Sequence, residues 1–394
     1  DGTTEVQNVS VDPESRFTVS VNDFLGPDKD VSTLVESDQL ILAERPMYFN
    51  YRSKWTGGHD VMGVPAPRDT YYFAEGTTRD NVYDGTYEEW LCLQNPGATK
   101  AEVTVTYMLG TGRNVVETYD VGATSRRTVD VNTAVGPDQD VSMLVESTVP
   151  IVAERPMYFN YRETKWTGGH NVVGAPGPDT EFYFAEGTTR DNPTDGSFEE
   201  WLCLQNPSDT DAKVTITYYT EQAGTQTQDV TVGAKSRHTV DVKLKLGSDV
   251  DTACKVESTN DVPILAERPM YFNYHSVWPG GHNVMGCNAP KRSYYFAEGT
   301  TLTEFSTYVA VMNPGANRAT VKFTYMIEGE PNQQTTVTID PSKRFTQNVA
   351  SVIGVNKNVS MLIESDEPIV AERPMYFGYK GWCAGGHDTL GYGI

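Results

Sequence analysis

The chain has 394 residues, of which 38% are hydrophobic and 11% aromatic, so it can bury a core and is not a disordered chain. Its 53 acidic and 31 basic residues give a net charge of −22, which argues against binding to nucleic acid or to an anionic membrane surface. The sequence contains no run of 18 apolar residues, so it predicts no membrane insertion.

One nine-residue motif recurs along the chain and divides it into repeats. The sequence AERPMYFNY stands at Ala43–Tyr51, Ala153–Tyr161 and Ala266–Tyr274, and AERPMYFGY stands at Ala371–Tyr379. A Trp-containing loop and a Gly-Gly-His follow each copy. Successive copies lie 105–113 residues apart, which is the length of a small domain rather than of a solenoid turn.

The first repeat, residues 1–67, contains only the second half of the unit. Thr3–Val11 and Phe17–Val21 alternate as short strands, and Asp30–Ser37 leads into the motif. An isolated half would expose strand edges and an apolar face, which folded proteins avoid. We therefore expect the first residue to be a cleavage or fragment boundary inside a longer array.

The second repeat, residues 71–177, shows the full unit. Its strand-like runs are separated by Gly, Pro, Asn and Asp, and Ala101–Met108 alternates apolar and polar residues with period two. Seven such runs joined by short loops predict an antiparallel seven-stranded sandwich, because a parallel crossover needs a dozen or more residues. The motif is interpreted as the last strand of each sandwich.

The third repeat, residues 182–290, and the fourth, residues 294–394, follow the same order. The segments between repeats are short and contain Pro, so neighbouring sandwiches are expected to keep a restricted angle. The predicted fold is all-β, with tandem antiparallel Ig-like sandwiches arranged as a rod.

Five cysteines are too few for a disulfide framework, and their odd number leaves at least one unpaired within the chain. Cys92 and Cys203 occupy the same place in two repeats, where a buried thiol acts as a small hydrophobe. Cys254 and Cys287 lie in one repeat and can pair only if their strands are adjacent. No Cys/His spacing indicates zinc.

The motif residues and the following histidine have the types needed for acid–base chemistry. They are Glu44, Arg45 and His59; Glu154, Arg155 and His170; Glu267, Arg268 and His282; and Glu372, Arg373 and His387. A set repeated in every unit favours a structural role over catalysis, and no catalytic residue is assigned. Consecutive strand residues face opposite sides, so we expect each Glu to accept from loop amides or the histidine and each Arg to reach another carboxylate.

Three turns place two aspartates two residues apart, which is the kind of oxygen ligand that Ca²⁺ prefers. The candidate calcium ligands are Asp28 and Asp30, Asp138 and Asp140, and Asp249 and Asp251. The fourth repeat has Asn356 and Asn358 instead, which favours an Asx-type turn over a metal site. We therefore expect no cofactor, with calcium as the alternative.

Trp55, Trp166, Trp278 and Trp382 follow the motifs and are candidates for stacking on sugars. The alternative is that each tryptophan plugs the end of its sandwich or packs on the next unit.

The unit resembles tandem immunoglobulin-like repeats of secreted and cell-surface bacterial proteins. The resemblance rests on FAEGTT at Phe73–Thr78, QNP at Gln94–Pro96, VES at Val145–Ser147, AERPMYF and Gly-Gly-His, with further copies of each along the chain. It implies a secreted, cell-surface protein. We expect a non-enzymatic stalk, adhesin shaft or filament subunit that contacts itself or neighbouring modules; the alternative is a protein that binds glycan or cell wall.

Overall fold

Strands and tight turns make up most of the molecule, as the alternating sequence predicts. The computed structural model describes residues 3–162, 166–221 and 224–394. Within these residues the longest helices have five residues, so the all-β prediction is confirmed. None of these helices is long and apolar enough to span a bilayer.

The first unit, residues 3–67, has one helix and one hairpin; residues 1 and 2 of the predicted repeat lie outside the described residues. Its elements are α1 (Val21–Leu25), β1 (Met47–Tyr51) and β2 (Trp55–His59). The predicted strands at Thr3–Val11 and Phe17–Val21 do not form, and apolar side chains such as Leu34 are exposed. In the other units the equivalent residues pair with strands of the first half, which have no counterpart in this sequence before the motif.

The second unit consists of two antiparallel sheets that share one long strand. Its elements are β3 (Arg68–Phe73), β4 (Asp80–Asn81), β5 (Gly85–Asn95), β6 (Ala101–Leu109), β7 (Asn114–Val121), β8 (Ser125–Asp130), α2 (Val131–Val135), β9 (Val141–Tyr161) and β10 (Trp166–Val173). The first half of β9 pairs with β3 and β6, and β7 pairs with β6. The second half of β9 pairs with β5 and β10, and β8 pairs with β5.

The third and fourth units repeat these strand pairings, but in the third unit two separate strands take the place of the long strand. The third contains β11 (Glu181–Phe184), β12 (Asp191–Asn192), β13 (Gly196–Asn206), β14 (Ala212–Thr220), β15 (Gly224–Val232), β16 (Ser236–Asp241), α3 (Val242–Leu246), β17 (Thr252–Ser258), β18 (Leu265–Tyr274) and β19 (Trp278–Met285). The fourth contains β20 (Lys291–Phe296), β21 (Phe305–Asn313), β22 (Ala319–Ile327), β23 (Gln333–Ile339), β24 (Lys343–Asn348), α4 (Ala350–Ile353), β25 (Val359–Glu372), β26 (Met375–Tyr379), β27 (Cys383–His387) and β28 (Tyr392–Gly393).

The third unit shows how the observed sandwich differs from the predicted one. One sheet has the order β11-β17-β14-β15, and the other contains β13, β16, β18 and β19 with the two-residue β12. These are eight strands of four or more residues rather than seven. The additional strand is the Gly-Gly-His run β19, which pairs with β18 from Glu267 to Tyr274. The AERPMYF strand is therefore not the last strand of the unit.

The first and last units are in contact, so the four units form a closed ring and the predicted rod is wrong. The Gly-Gly strands β2, β10, β19 and β27 pack against one another around the centre of the ring. One glycine of each inner strand lies so close to the glycine of the next unit that an added Cβ atom would crowd its Cα atom. The Cβ–Cα distances would be 3.1 Å for Gly57 to Gly168, 3.2 Å for Gly168 to Gly280, 2.9 Å for Gly280 to Gly385 and 3.3 Å for Gly385 to Gly57. Only glycine permits so close an approach of backbones in all four units.

Neighbouring units also share apolar contacts instead of being separated by linkers. Tyr183 and Ala253 of the third unit form one buried cluster with Met312 and Val370 of the fourth. All five cysteines are free thiols, including Cys254 and Cys287. The ring is thus held by packing and polar contacts between units.

Candidate functional site

The motif arginine of each unit pairs with the motif glutamate of the next unit, and the arginine of the fourth unit pairs with the glutamate of the first. The N–O distances are 2.7 Å for Arg45–Glu154, 3.1 Å for Arg155–Glu267, 3.0 Å for Arg268–Glu372 and 2.7 Å for Arg373–Glu44. The last three pairs are buried, whereas the Arg45 and Glu154 side chains remain 36% and 21% exposed. A cyclic series of ion pairs therefore joins the units.

Each buried motif glutamate also accepts a backbone hydrogen bond from the FAEG segment of the preceding unit. Ala74 N donates to Glu267 at 2.6 Å, and Ala185 N donates to Glu372 at 2.9 Å. Ala297 N donates to Glu44 across the junction that closes the ring, at 2.6 Å. No FAEG segment of the first unit lies among the described residues, and Glu154 is partly exposed there. A carboxylate buried with a guanidinium and an amide has the partners that burial requires.

Each buried motif arginine also contacts the FAEG glutamate of its own unit. Arg155 Nη2 lies 2.7 Å from Glu75 Oε2, and Arg268 Nη1 lies 3.3 Å from Glu186 Oε2. Both arginines donate to the backbone carbonyl of the same glutamate as well. The arginine therefore ties three segments from two units together.

The four motif histidines lie buried on the inner strands. Each packs on the motif phenylalanine of its own unit, with ring centroids 5.6–6.0 Å apart. Neither ring nitrogen of any of the four has a hydrogen-bond partner among the residues that the structure describes. Burial, together with the charge of Arg45, lowers the pKa of His59 to about 3, and burial lowers the pKa of His387 to about 4. These imidazoles are neutral near pH 7.

The residue after each histidine differs between units, a difference whose role the sequence did not reveal. Asn171 donates to Glu154 Oε2 at 2.8 Å, and Asn283 donates to Glu267. The other two units have aspartates, which face arginines: Asp60 Oδ2 lies 2.5 Å from Arg373 Nη2, and Asp388 Oδ2 lies 2.6 Å from Arg268 Nη2. The interfaces of the ring are therefore alike in backbone but different in charge.

Sequence reasoning also missed two buried carboxylates, Glu89 and Glu200. Glu89 faces inward on β5, in phase with the buried Tyr87 and Leu91, and this inward phase is the signal that could have revealed it. A Cβ atom at Gly76 would lie 2.6 Å from Glu89 Oε1, so the FAEG glycine leaves room for this carboxylate. Burial raises the pKa of Glu89 well above its usual range and that of Glu200 to about 8.

These buried groups predict that stability falls on both sides of a maximum near pH 5–6. Burial raises the pKa of Glu75 to about 7, so its contribution is present below about 4.5 and is lost as the pH rises through 7. The lowered pKa values of His59 and His387 have the opposite effect: their contribution is present above about 6.5 and is lost as the pH falls toward 3–4. Thermal unfolding measured from pH 3 to pH 9 checks this profile.

The variant Glu89→Thr is expected to reduce the loss of stability at alkaline pH. Thr307 occupies the same position in the fourth unit, so the fold already accommodates threonine there. Without the buried carboxylate, the unfolding midpoint should fall less between pH 6 and pH 9 than in the wild type, by on the order of a few degrees. Glu117→Thr on an exposed strand is the control. An equal alkaline loss in Glu89→Thr and the wild type would contradict the assignment.

Five of the six candidate calcium ligands have protein partners. Asp138 Oδ1 accepts from Asp80 N at 3.1 Å and from Asn81 at 2.9 Å, so this carboxylate binds a segment 57–58 residues away and not its own turn. Asp140 Oδ2 lies 2.9 Å from Arg79 Nη2. In the third unit, Asp249 likewise accepts from a backbone amide and an asparagine, and Asp251 pairs with an arginine. In the first unit, Asp30 lies 3.7 Å from Arg126, and Asp28 is exposed. These pairs do not form a cluster of three metal-ligating groups within the described residues.

Three of the four candidate sugar-stacking tryptophans stack on the motif tyrosine of their own unit. The ring centroids of Trp55 and Tyr51 are 5.8 Å apart, and Trp166 and Trp278 make equivalent contacts at 5.6 and 5.8 Å. Trp382 is 46% exposed. A different tryptophan, Trp201, lines a groove of about 680 Å³ between the second and third units.

Comparison with known proteins gives no family assignment. No family model and no curated protein matches the chain. Among solved structures, Thermotoga maritima 1070 is 21% identical, with 27% of this chain and 96% of that chain covered and a TM-score of 0.25. The Anabaena sensory rhodopsin transducer is 23% identical, with 24% and 99% covered and a TM-score of 0.20. Red sea bream transglutaminase is 14% identical, with 52% and 30% covered and a TM-score of 0.12. TM-scores this low carry no argument about this chain.

Proposed function

We propose that the chain is a non-enzymatic structural protein of the cell surface, in which the four-unit ring acts as a rigid module for assembly or adhesion. The observation that supports this most is the cyclic series of Arg–Glu pairs. These pairs engage the residues best suited to acid–base chemistry in contacts between units. Most of them are buried away from any substrate that a cleft could admit.

The proposed partners are neighbouring modules of a longer chain or further copies of this one. The outermost strands β7, β15 and β23 each pair with one neighbouring strand and expose polar side chains along their length. Such edges are where a further module can be added, and their polar side chains limit unspecific pairing. The cell-surface location is proposed from the resemblance of the repeats.

Negative-stain microscopy and small-angle scattering of native material test the structural proposal. We expect compact rings, single or joined to further modules, that bind no small substrate. Cell fractionation with an antibody to the chain should place it outside the cytoplasm. A cytoplasmic location, or turnover of a substrate that is lost on mutation of a buried motif residue, would contradict the proposal.

The second candidate function is glycan binding at the groove that contains Trp201. The groove brings this indole together with charged hydrogen-bonding groups, including Arg79, Asp140 and Arg237, which is a composition suited to a sugar. A glycan array probed with the wild type and with Trp201→Ala separates the two functions. A structural module should give no signal, whereas a glycan-binding protein should give a signal that Trp201→Ala abolishes. The matched control is Trp382→Ala, which removes an exposed tryptophan outside the groove.

A further inference from the structure

Three side chains that can bind a metal converge between the third and fourth units. Glu186 comes from the FAEG segment, His282 from the inner strand of the third unit and Asp388 from the segment after the inner strand of the fourth. Each offers a ligand atom, and these three atoms lie within 4.8 Å of one another. All three side chains are more than nine-tenths buried. This is the one such cluster within residues 3–162, 166–221 and 224–394.

The histidine in this cluster has no hydrogen-bond partner among the described residues. His282 is 1% exposed, and neither of its ring nitrogens is paired. Leaving a buried polar atom unpaired costs stability. The neutral imidazole is the form that binds metal ions. The other three motif histidines are also unpaired, so the imidazole of His282 offers a ligand atom but does not by itself indicate a metal.

The charges around the cluster do not balance. Arg268 is the guanidinium in contact with Glu186, Glu372 and Asp388, so three carboxylates face one positive charge. Arg344, whose charge acts on Glu186, is paired with Glu221 at 3.5 Å. Two negative charges remain at this buried interface when the carboxylates are ionised. A divalent cation would neutralise them.

Two other interfaces of the ring differ from this arrangement within the described residues. Between the second and third units, the position of Asp388 is taken by Asn283, whose amide is uncharged and donates to Glu267. Between the fourth and first units an aspartate is present, but Glu298 pairs with Arg16 at 3.2 Å. The unbalanced charge and the unpaired histidine therefore coincide with a three-ligand geometry at one interface.

We propose that Glu186, His282 and Asp388 bind one divalent transition-metal ion of the Zn²⁺, Co²⁺ or Mn²⁺ class at the interface between the third and fourth units. One imidazole and two carboxylates suit these ions, whereas Ca²⁺ and Mg²⁺ prefer oxygen ligands alone. Arg268 and the backbone amide of Thr389 hold the Asp388 carboxylate at 2.6 and 2.9 Å. Such outer partners orient a metal ligand. Bound metal would link the two units in addition to the Arg268–Glu372 pair.

Metal titration of the full chain tests the proposal. Protein stripped with a chelator is titrated with Zn²⁺ by calorimetry and with Co²⁺ by visible absorption. We expect one ion per chain, a d–d spectrum typical of mixed nitrogen and oxygen ligation, and a rise in the unfolding temperature with Zn²⁺. The variant Asp388→Asn should bind at least tenfold more weakly. It should remain folded, because asparagine occupies this position in the second and third units.

Asp60→Asn is the matched control, since it makes the same chemical change at the fourth–first interface, where the described residues form no three-ligand cluster. It should leave the affinity for Zn²⁺ unchanged. Absence of binding by the wild type would overturn the proposal. Equal affinities of Asp388→Asn and the wild type, or equal losses in Asp388→Asn and Asp60→Asn with both variants folded by circular dichroism, would also overturn it.

Discussion

Arg155→Met is expected to destabilise the protein by about 3–5 kcal/mol and to open the ring between the second and third units. Arg155 is fully buried and is the guanidinium that lies 2.7 Å from Glu75 and 3.1 Å from Glu267. Removing one partner of a buried ion pair leaves the remaining charges without compensation, which costs more than the pair itself contributes. Chemical denaturation at pH 7 and small-angle scattering measure the two effects.

Two further variants make the Arg155 prediction specific. Arg318→Met removes a guanidinium from a solvent-exposed pair with Asp340 and should unfold like the wild type. The triple variant Arg155→Met, Glu75→Gln and Glu267→Gln removes the unpaired charges together with the arginine and should recover part of the lost stability. If Arg155→Met and Arg318→Met unfold alike, the buried network does not hold the ring.

Gly280→Val is expected to cost about 3 kcal/mol or more and to separate the third unit from the fourth at the centre of the ring. A Cβ atom there would lie 2.9 Å from the Cα atom of Gly385 and 2.9 Å from Phe272 Cζ. The first neighbour is backbone and can yield only if β27 moves as a whole. An increase in the radius of gyration, with a lower unfolding midpoint, is the expected result.

The control for this variant is Gly177→Val, at a glycine where an added Cβ would meet nothing within 4 Å. Its stability and scattering curve should match those of the wild type. If Gly280→Val also leaves both unchanged, the inner strands do not pack as closely as the structure shows.

The repeat itself could be read from the sequence, and the closure of the ring could not. Alternation within Ala101–Met108 and the short loops between strand-like runs identify antiparallel sandwiches. A rod and a ring, however, use the same head-to-tail contact between units. They differ only in whether the rotation from one unit to the next closes after four steps. That rotation depends on how whole surfaces pack, which no local pattern encodes.

The sequence predicts which kinds of residue pair at the candidate site, but not which units the paired residues come from. The sequence indicates that Arg155 needs a carboxylate partner other than the adjacent Glu154, because the two face opposite sides of a strand. It does not indicate that one partner, Glu267, belongs to the next unit. The buried Glu89 was missed because a glutamate in a strand is normally read as exposed, and only its phase relative to Tyr87 and Leu91 shows otherwise.

Four covalently linked units can diverge in a way that four identical subunits cannot. In a symmetric tetramer every substitution occurs at all four interfaces at once, whereas this chain has asparagine after two of its histidines and aspartate after the other two. A substitution at one junction therefore leaves the other three intact. The residues of one interface can therefore change their charge or ligand-binding properties while the other three interfaces keep the ring folded.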